Sequence, residues 1–339
     1  MWELRLCTAA LTLLWSMRAA LGENAPATQP DESSLQICLA AAADWSPVYP
    51  TVQIPISNEV DAVFRLAKGE KHKHMAYAWK AVDVKGISSG VVLAHGTIDD
   101  YVAGVFKMNA LRGLETGKYR LEVTADDQPW KSQEFEIVAA QAAPAVASVQ
   151  DLLPLRQGTT WTYAFVLEVA EDAGVFLADV APGADGKFRA TLTLSVAGID
   201  DKGAHVETCR NGKLVFEEWW KLDSHGLVST LRKAGDETLV MDPEQVMWPW
   251  PLKGTKHWTY TPKDRSYKLD CRVWGPLAVA GPSGQTGGYV VLMEQEKGHA
   301  KLTDEKHFVP GIGLVREIMI NANSGQMLNR QEIVLQGVK

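Results

Sequence analysis

Val206-Glu207-Thr208-Cys209-Arg210-Asn211-Gly212-Lys213-Leu214-Val215-Phe216-Glu217-Glu218-Trp219-Trp220-Lys221 is the stretch that decides the fold. Asn-Gly tolerates the positive φ angles of a two-residue hairpin turn better than almost any other dipeptide, and β-formers flank it on both sides. The stretch therefore predicts two antiparallel strands, 206–210 and 213–221. Upstream, Phe188, Ala190, Leu192, Leu194 and Val196 fall on one face at strict period two. Downstream, Asp223-Ser224-His225-Gly226 turns the chain into a third strand at 227–231. Alternating runs continue at 267–274, 288–295, 301–309, 313–320 and 327–335, with Asn321-Ala322-Asn323-Ser324-Gly325 as one intervening turn. One short helix is predicted near 243–247, with Asp242 as N-cap and Pro243 in the first helical position.

The same alphabet continues toward the N-terminus. Residues 35–138 have the length of an immunoglobulin-like sandwich, with Val60, Val63 and Leu66 running into the charged turn Lys68-Gly69-Glu70-Lys71. Leu114-Glu115-Thr116-Gly117-Lys118-Tyr119 enters an alternating strand in the manner of a tyrosine corner, whose phenol bonds back to upstream backbone. Residues 139–149, rich in alanine, with Pro144 and without charge or aromatic residue, read as a linker to a second domain at 150–339. The fold class is all-β in both parts.

Residues 1–22 read as a signal peptide: an apolar run at 6–15 too short for a bilayer, then Ala20-Leu21-Gly22 as the cleavage site. A polar, proline-bearing leader follows at 23–34. No later segment has the apolar length of a membrane span, so the expected location is secreted or periplasmic. Losing Arg5 and Arg18 from 34 basic residues, and Glu3 from 41 acidic ones, leaves 32 against 40, a net charge of -8. With that balance and no basic patch, nucleic acid is excluded as a partner. Cleavage also removes Cys7 and leaves Cys38, Cys209 and Cys271, of which Cys209 and Cys271 sit in strands of one domain and could form a disulfide. Cys38 would then be free or intermolecular.

Pro154-Leu155-Arg156-Gln157-Gly158-Thr159-Thr160-Trp161-Thr162-Tyr163 recurs as Pro251-Leu252-Lys253-Gly254-Thr255-Lys256-His257-Trp258-Thr259-Tyr260. In each copy Trp-Thr-Tyr enters a strand with both rings on one face, where each can bury roughly 150–250 Å². These copies, with Phe308-Val309-Pro310-Gly311-Ile312-Gly313-Leu314-Val315, resemble a family of uncharacterised secreted bacterial proteins. Its members are similar to the lipoprotein-carrier fold, an antiparallel sheet curled into an unclosed half-barrel. The resemblance covers the second domain and implies a concave face that shelters acyl chains or another protein. It carries no catalytic residues.

Catalytic and metal chemistry find little support. Gly86-Ile87-Ser88-Ser89-Gly90 matches a nucleophile-elbow pattern, but Val91-Val92-Leu93-Ala94 after it is strand-like where a helix is required, so a hairpin turn is the better reading. His72 and His74 alternate between lysines without a carboxylate or cysteine at ligand spacing, and the other histidines fit no metal frame. The neighbours Glu217 and Glu218 point to opposite strand faces, a solvation pattern. No cofactor and no metal is implied.

Aromatic residues remain. Trp219 and Trp220 point to opposite faces of their strand, and Trp248 and Trp250 bracket Pro249 in what reads as an extended loop. These four are the candidate ligand-binding residues, with an apolar small molecule or lipid, or an envelope protein, as the partner. The leading reading is an exported, non-enzymatic binding protein, and the alternative is a structural or adhesion module of the envelope.

Overall fold

A computed structural model describes residues 30, 32–55, 59–110, 114–139, 148–170, 177, 180–251, 256–264, 267–281 and 284–339. The expected signal peptide at 1–22, most of the expected leader, residues 140–147 of the expected linker and residues 252–255 of the second motif copy lie outside the described residues. No α-helix occurs among the described residues, and none of their segments is a helix long and apolar enough to cross a membrane. They fall into two compact units. One holds the described residues of Gly22–Gln141 and Ala322–Met327, the other those of Ala142–Asn321 and Leu328–Lys339.

The first unit contains β1 Ser34–Cys38, β2 Ala40–Ala41, β3 Pro47–Val48, β4 Gln53–Pro55, β5 Glu59–Arg65, β6 His74–Val84, β7 Val92–Asp99, β8 Ala103–Asn109, β9 Gly117–Ala125 and β10 Gln128–Val138. A three-stranded sheet in the order β1-β5-β8 and a five-stranded sheet in the order β4-β10-β9-β6-β7 are joined by aromatic packing. Tyr77 of one meets Phe106 of the other with ring centroids 4.7 Å apart. Tyr119 stacks on Phe135 and its hydroxyl donates to the Glu115 carbonyl at 2.6 Å, the upstream backbone bond expected of a tyrosine corner. The leader's end is tied down rather than free. Lys68 N–H donates to the Pro30 carbonyl at 2.7 Å, and the Ser33 hydroxyl bonds Glu70.

The second unit contains β11 Thr160–Val169, β12 Phe188–Asp200, β13 Gly203–Arg210, β14 Lys213–Asp223, β15 Gly226–Ala234, β16 Glu237–Pro249, β17 Lys256–Tyr260, β18 Leu269–Gly281, β19 Gly284–Lys297, β20 Ala300–Val309 and, except for the hairpin tip Ala322–Met327, β21 Gly313–Asn323 and β22 Gln326–Val338. They form one sheet in the order β16-β15-β14-β13-β12-β11-β22-β21-β20-β19-β18-β17. The deciding hairpin is in place: Asn211 and Gly212 take φ of 50° and 80° between β13 and β14. Asn321 and Ala322 extend β21, so the turn before β22 narrows to Ser324-Gly325.

The helix predicted near 243–247 is corrected: those residues belong to β16. This is an edge strand, where a proline's missing N–H leaves no ladder bond unmade, so Pro243 is tolerated in the extended chain. The curled antiparallel sheet expected of the second domain is present, and its two ends approach each other. β16 and β17 end the sheet order, yet Lys263 N–H donates to the Asp242 carbonyl at 2.7 Å and the Tyr260 hydroxyl to the Pro243 carbonyl at 3.1 Å. The two ends therefore come together and the sheet is nearly closed. Bulges supply the bending, with register shifts at Thr162/Tyr163, Val196/Gly198, Thr208/Cys209, Trp219/Trp220 and Trp274/Leu277.

Candidate functional site

Closure gives the sheet an inside. Successive residues alternate between the two faces, so β11 turns Trp161, Tyr163, Phe165 and Leu167 inward, where all four are buried. The rings are anchored at their polar ends. Trp161 Nε1–H donates to the Ile312 carbonyl at 2.7 Å and the Tyr163 hydroxyl to the Leu314 carbonyl at 3.0 Å. The first Trp-Thr-Tyr copy thus docks on the Pro310–Val315 motif. Gly313 is required there: at φ +104° a Cβ would stand 2.2 Å from Leu153 Cδ1. The second copy opens β17, where Tyr260 is buried and its hydroxyl spans the seam to β16.

Within this interior lies a cavity of about 140 Å³, walled mainly by apolar side chains, among them Trp161, Phe216, Trp220, Met247, Met293 and Phe308. Six charged residues share the wall: Arg210, Glu218, Arg232, Asp304, Lys306 and Glu317. Glu218 accepts from Arg232 Nε and from the Ser229 hydroxyl, each at 2.6 Å, with both charged side chains over nine-tenths buried. Burial opposes the Arg232 charge, but Glu218 outweighs it and holds the guanidinium pKa above its usual value. On the other wall the Lys306 ammonium is shared between Asp304 and Glu317. Burial opposes the Lys306 charge too, and the two carboxylates outweigh it and raise its pKa. Asp304 is pushed up to about 7, chiefly by burial, with Glu317 adding to the shift and Lys306 opposing it. Three wall residues carry a buried polar atom without a hydrogen-bond partner: Trp220 Nε1, Gln245 Oε1 and Asp304 Oδ1.

The four predicted tryptophans do not converge. Trp220 faces the cavity. Trp219 lies on the opposite face of β14, its ring stacked on His205 at 4.2 Å and its Nε1–H donating to Asp200 at 3.0 Å. Trp248 continues β16 into the core and stacks on Phe308 at 4.5 Å, with no exposed surface, so the loop platform with Trp250 does not form. Trp250 follows the end of that strand, half-buried, its N–H bound to the His225 carbonyl at 2.7 Å.

The Cys209–Cys271 disulfide is overturned. Cys38, Cys209 and Cys271 are all free, and β13 and β18 are separated by six strands in the sheet order. Burial raises the thiol pKa of Cys38 and pushes that of Cys271 up to about 12, which keeps both unreactive. Ser88 occupies the exposed turn between β6 and β7. His72 reaches Glu70 at 2.8 Å and Asp126 at 3.1 Å, whereas His74 reaches Asp99 at 2.6 Å, so the two histidines serve different carboxylates. Glu70 is held down at about 2: burial opposes its charge, but Ser33, His72 and Trp130 all bond it. Among the described residues, His205, Glu207 and Glu217 form the one set that could hold a metal ion, each offering a ligand atom within 4.8 Å of the others. His205 Nε2 and Glu217 already bond one another at 2.8 Å.

The inward charges are what the sequence reading missed. Glu218 was read with Glu217 as a solvated pair, yet Phe216-x-Glu218-x-Trp220 places it in the apolar phase of β14. Leu302-x-Asp304-x-Lys306-x-Phe308 does the same on β20. That phase was the available signal.

No family model matches the chain, and no curated protein sequence matches it. Two solved structures are similar in part. A candidate lipoprotein from Parabacteroides distasonis shares 13% identity and aligns over 56% of this chain and 98% of its own, with a TM-score of 0.26. A candidate exported protein with a YmcC-like fold, from Bacteroides fragilis, shares 13% identity over 54% of this chain and 96% of its own, with a TM-score of 0.27.

Proposed function

We propose that this chain is an exported, non-enzymatic binding protein whose curled sheet holds a small, largely apolar molecule in its interior. The observation that carries the reading is the cavity of about 140 Å³ inside a nearly closed sheet. An engineered apolar protein cavity of about 150 Å³ holds benzene, which sets the scale of the occupant at about six to eight heavy atoms. An acyl chain is too long for it without widening the seam between β16 and β17. The size thus favours a compact ligand over the lipid implied by the family resemblance. Trp220 on the cavity wall supplies a reporter.

Native mass spectrometry of protein purified from its own host should show a small retained mass, and benzene-sized probes should raise the melting temperature and change Trp220 emission. A protein with no retained mass and no response to any apolar probe would sink the reading. Export predicts a mature N-terminus just after Gly22, and N-terminal sequencing of secreted protein checks it.

The order β1-β5-β8 facing β4-β10-β9-β6-β7, with the tyrosine corner at Tyr119, supports an immunoglobulin-like module at 35–138 joined through 139–149 to the binding domain at 150–339. Limited proteolysis should cut within 139–149 and release two fragments that unfold independently. A single cooperative transition in the nicked protein would refute that division.

A further inference from the structure

We propose that the occupant of this cavity carries a hydrogen-bond donor, a hydroxyl or amine on a compact apolar body, received where Asp304 and Gln245 flank Met293. The inference rests on the cavity reading above and sharpens it. Asp304 is the direct cross-strand partner of Met293, β20 against β19. Gln245, on β16 at the far end of the sheet order, points its Nε2 at Met293 Sδ at 4.0 Å. Two acceptors, Asp304 Oδ1 and Gln245 Oε1, are therefore brought to the same thioether, and both are buried without a partner.

Buried acceptors left unmade are costly in a folded protein, and a thioether offers them no donor. A wholly apolar occupant would leave both unmet, whereas a hydroxyl or amino hydrogen satisfies one or both. The local charge argues in the same direction. Asp304 and Glu317 already hold the ammonium of Lys306 between them, so this cation is not free to receive an anionic group. Arg232 on the opposite wall is already committed to Glu218.

The test compares phenol and aniline with toluene, a donor-free molecule of the same size, by titration calorimetry on the full chain. Phenol or aniline should bind about tenfold or more tightly than toluene, although toluene is the more apolar. Gln245→Met, which removes one acceptor and keeps the length of the side chain, should bring phenol toward the toluene affinity. Gln245→Glu, which keeps an acceptor oxygen, should retain the preference. Melting curves of both variants confirm that they fold, and Asp304→Leu, which removes the other acceptor, is the second probe should Gln245→Met fail to. If toluene binds as tightly as phenol, or if the preference survives both Gln245→Met and Asp304→Leu, the donor inference is overturned and the cavity reading stands. If none of the three molecules binds, the cavity reading falls with it. Preference for phenol alone or aniline alone separates a hydroxyl ligand from an amine.

Discussion

Arg232→Met breaks the ion pair that the closed sheet encloses. Glu218 has two hydrogen-bond donors in the structure, Arg232 Nε and the Ser229 hydroxyl, each at 2.6 Å, and its side chain is 6% exposed. Removing the guanidinium leaves a carboxylate in a nearly dry interior with one neutral donor. Breaking a buried pair in this way costs about 3–5 kcal/mol, because the remaining charge keeps its desolvation penalty and loses its partner. Exposed pairs cost about 0–1 kcal/mol in the same experiment. The double variant Glu218→Met/Arg232→Met removes both charges and fills the space with apolar atoms, so it should recover most of the loss or exceed wild type. Urea unfolding followed by far-UV circular dichroism and tryptophan emission measures each state, with Trp220 two residues from Glu218 on the same strand face. The signature is a coupling energy of about 3 kcal/mol or more across the double-mutant cycle. A single variant within about 1 kcal/mol of wild type would mean that water reaches the pair and that the interior of the sheet is open there.

Asp304 gives a pH dependence whose sign follows from its raised pKa. Between the unfolded value of about 4 and the folded value of about 7, the native state holds a proton that the unfolded chain has released, so this group's contribution to stability declines as pH rises through that window. Asp304→Asn should therefore gain on wild type between pH 5 and pH 8, and a gap that stays constant in chemical denaturation would contradict the assignment. Gly313→Ala should destabilise the second unit by about 1–3 kcal/mol in urea unfolding, because the methyl group meets Leu153 at a positive φ; a neutral result would mean that the contact is not native. Tyr119→Phe should cost the first unit about 1 kcal/mol by losing the bond to Glu115. In native protein a thiol reagent should modify half-buried Cys209 and spare Cys38 and Cys271, and all three should react after non-reducing denaturation. Peptide mapping that finds Cys209 joined to Cys271 would break the sheet order given above.

Local signals decided the architecture because each acts through a few adjacent residues. Asn211-Gly212 sets its turn by backbone angle alone, and the period-two run from Phe188 to Val196 sets its strand by which face is wet. The helix misread near Pro243 shows the limit of such signals. A proline after an aspartate is a good helix start in isolation, and only the position of β16 at the end of a twelve-stranded order makes it equally good in a strand. Closure was illegible for the same reason. The bond from Lys263 to Asp242 joins the turn after β17 to β16, and nothing in either segment states that the edges meet.

The site was half legible. Strand parity correctly sent Trp219 and Trp220 to opposite faces but could not say which face was the interior, since both tryptophans end up buried. Trp219 is covered by His205 and attended by the lysines Lys202 and Lys233, whose apolar stems and ammonium groups shield an outward ring. The inward charges were misjudged because a charged residue is ordinarily assigned to solvent, a rule that holds for single positions and fails for pairs. Glu218 with Arg232, and Lys306 with Asp304 and Glu317, satisfy one another within one strand or between sheet neighbours, which no single position reveals. An apolar-phase charge on one strand is an anomaly. Two of opposite sign on strands that a meander places side by side, as Glu218 on β14 and Arg232 on β15 are, predict an enclosed ion pair, and with it an interior that a single strand's pattern cannot reveal.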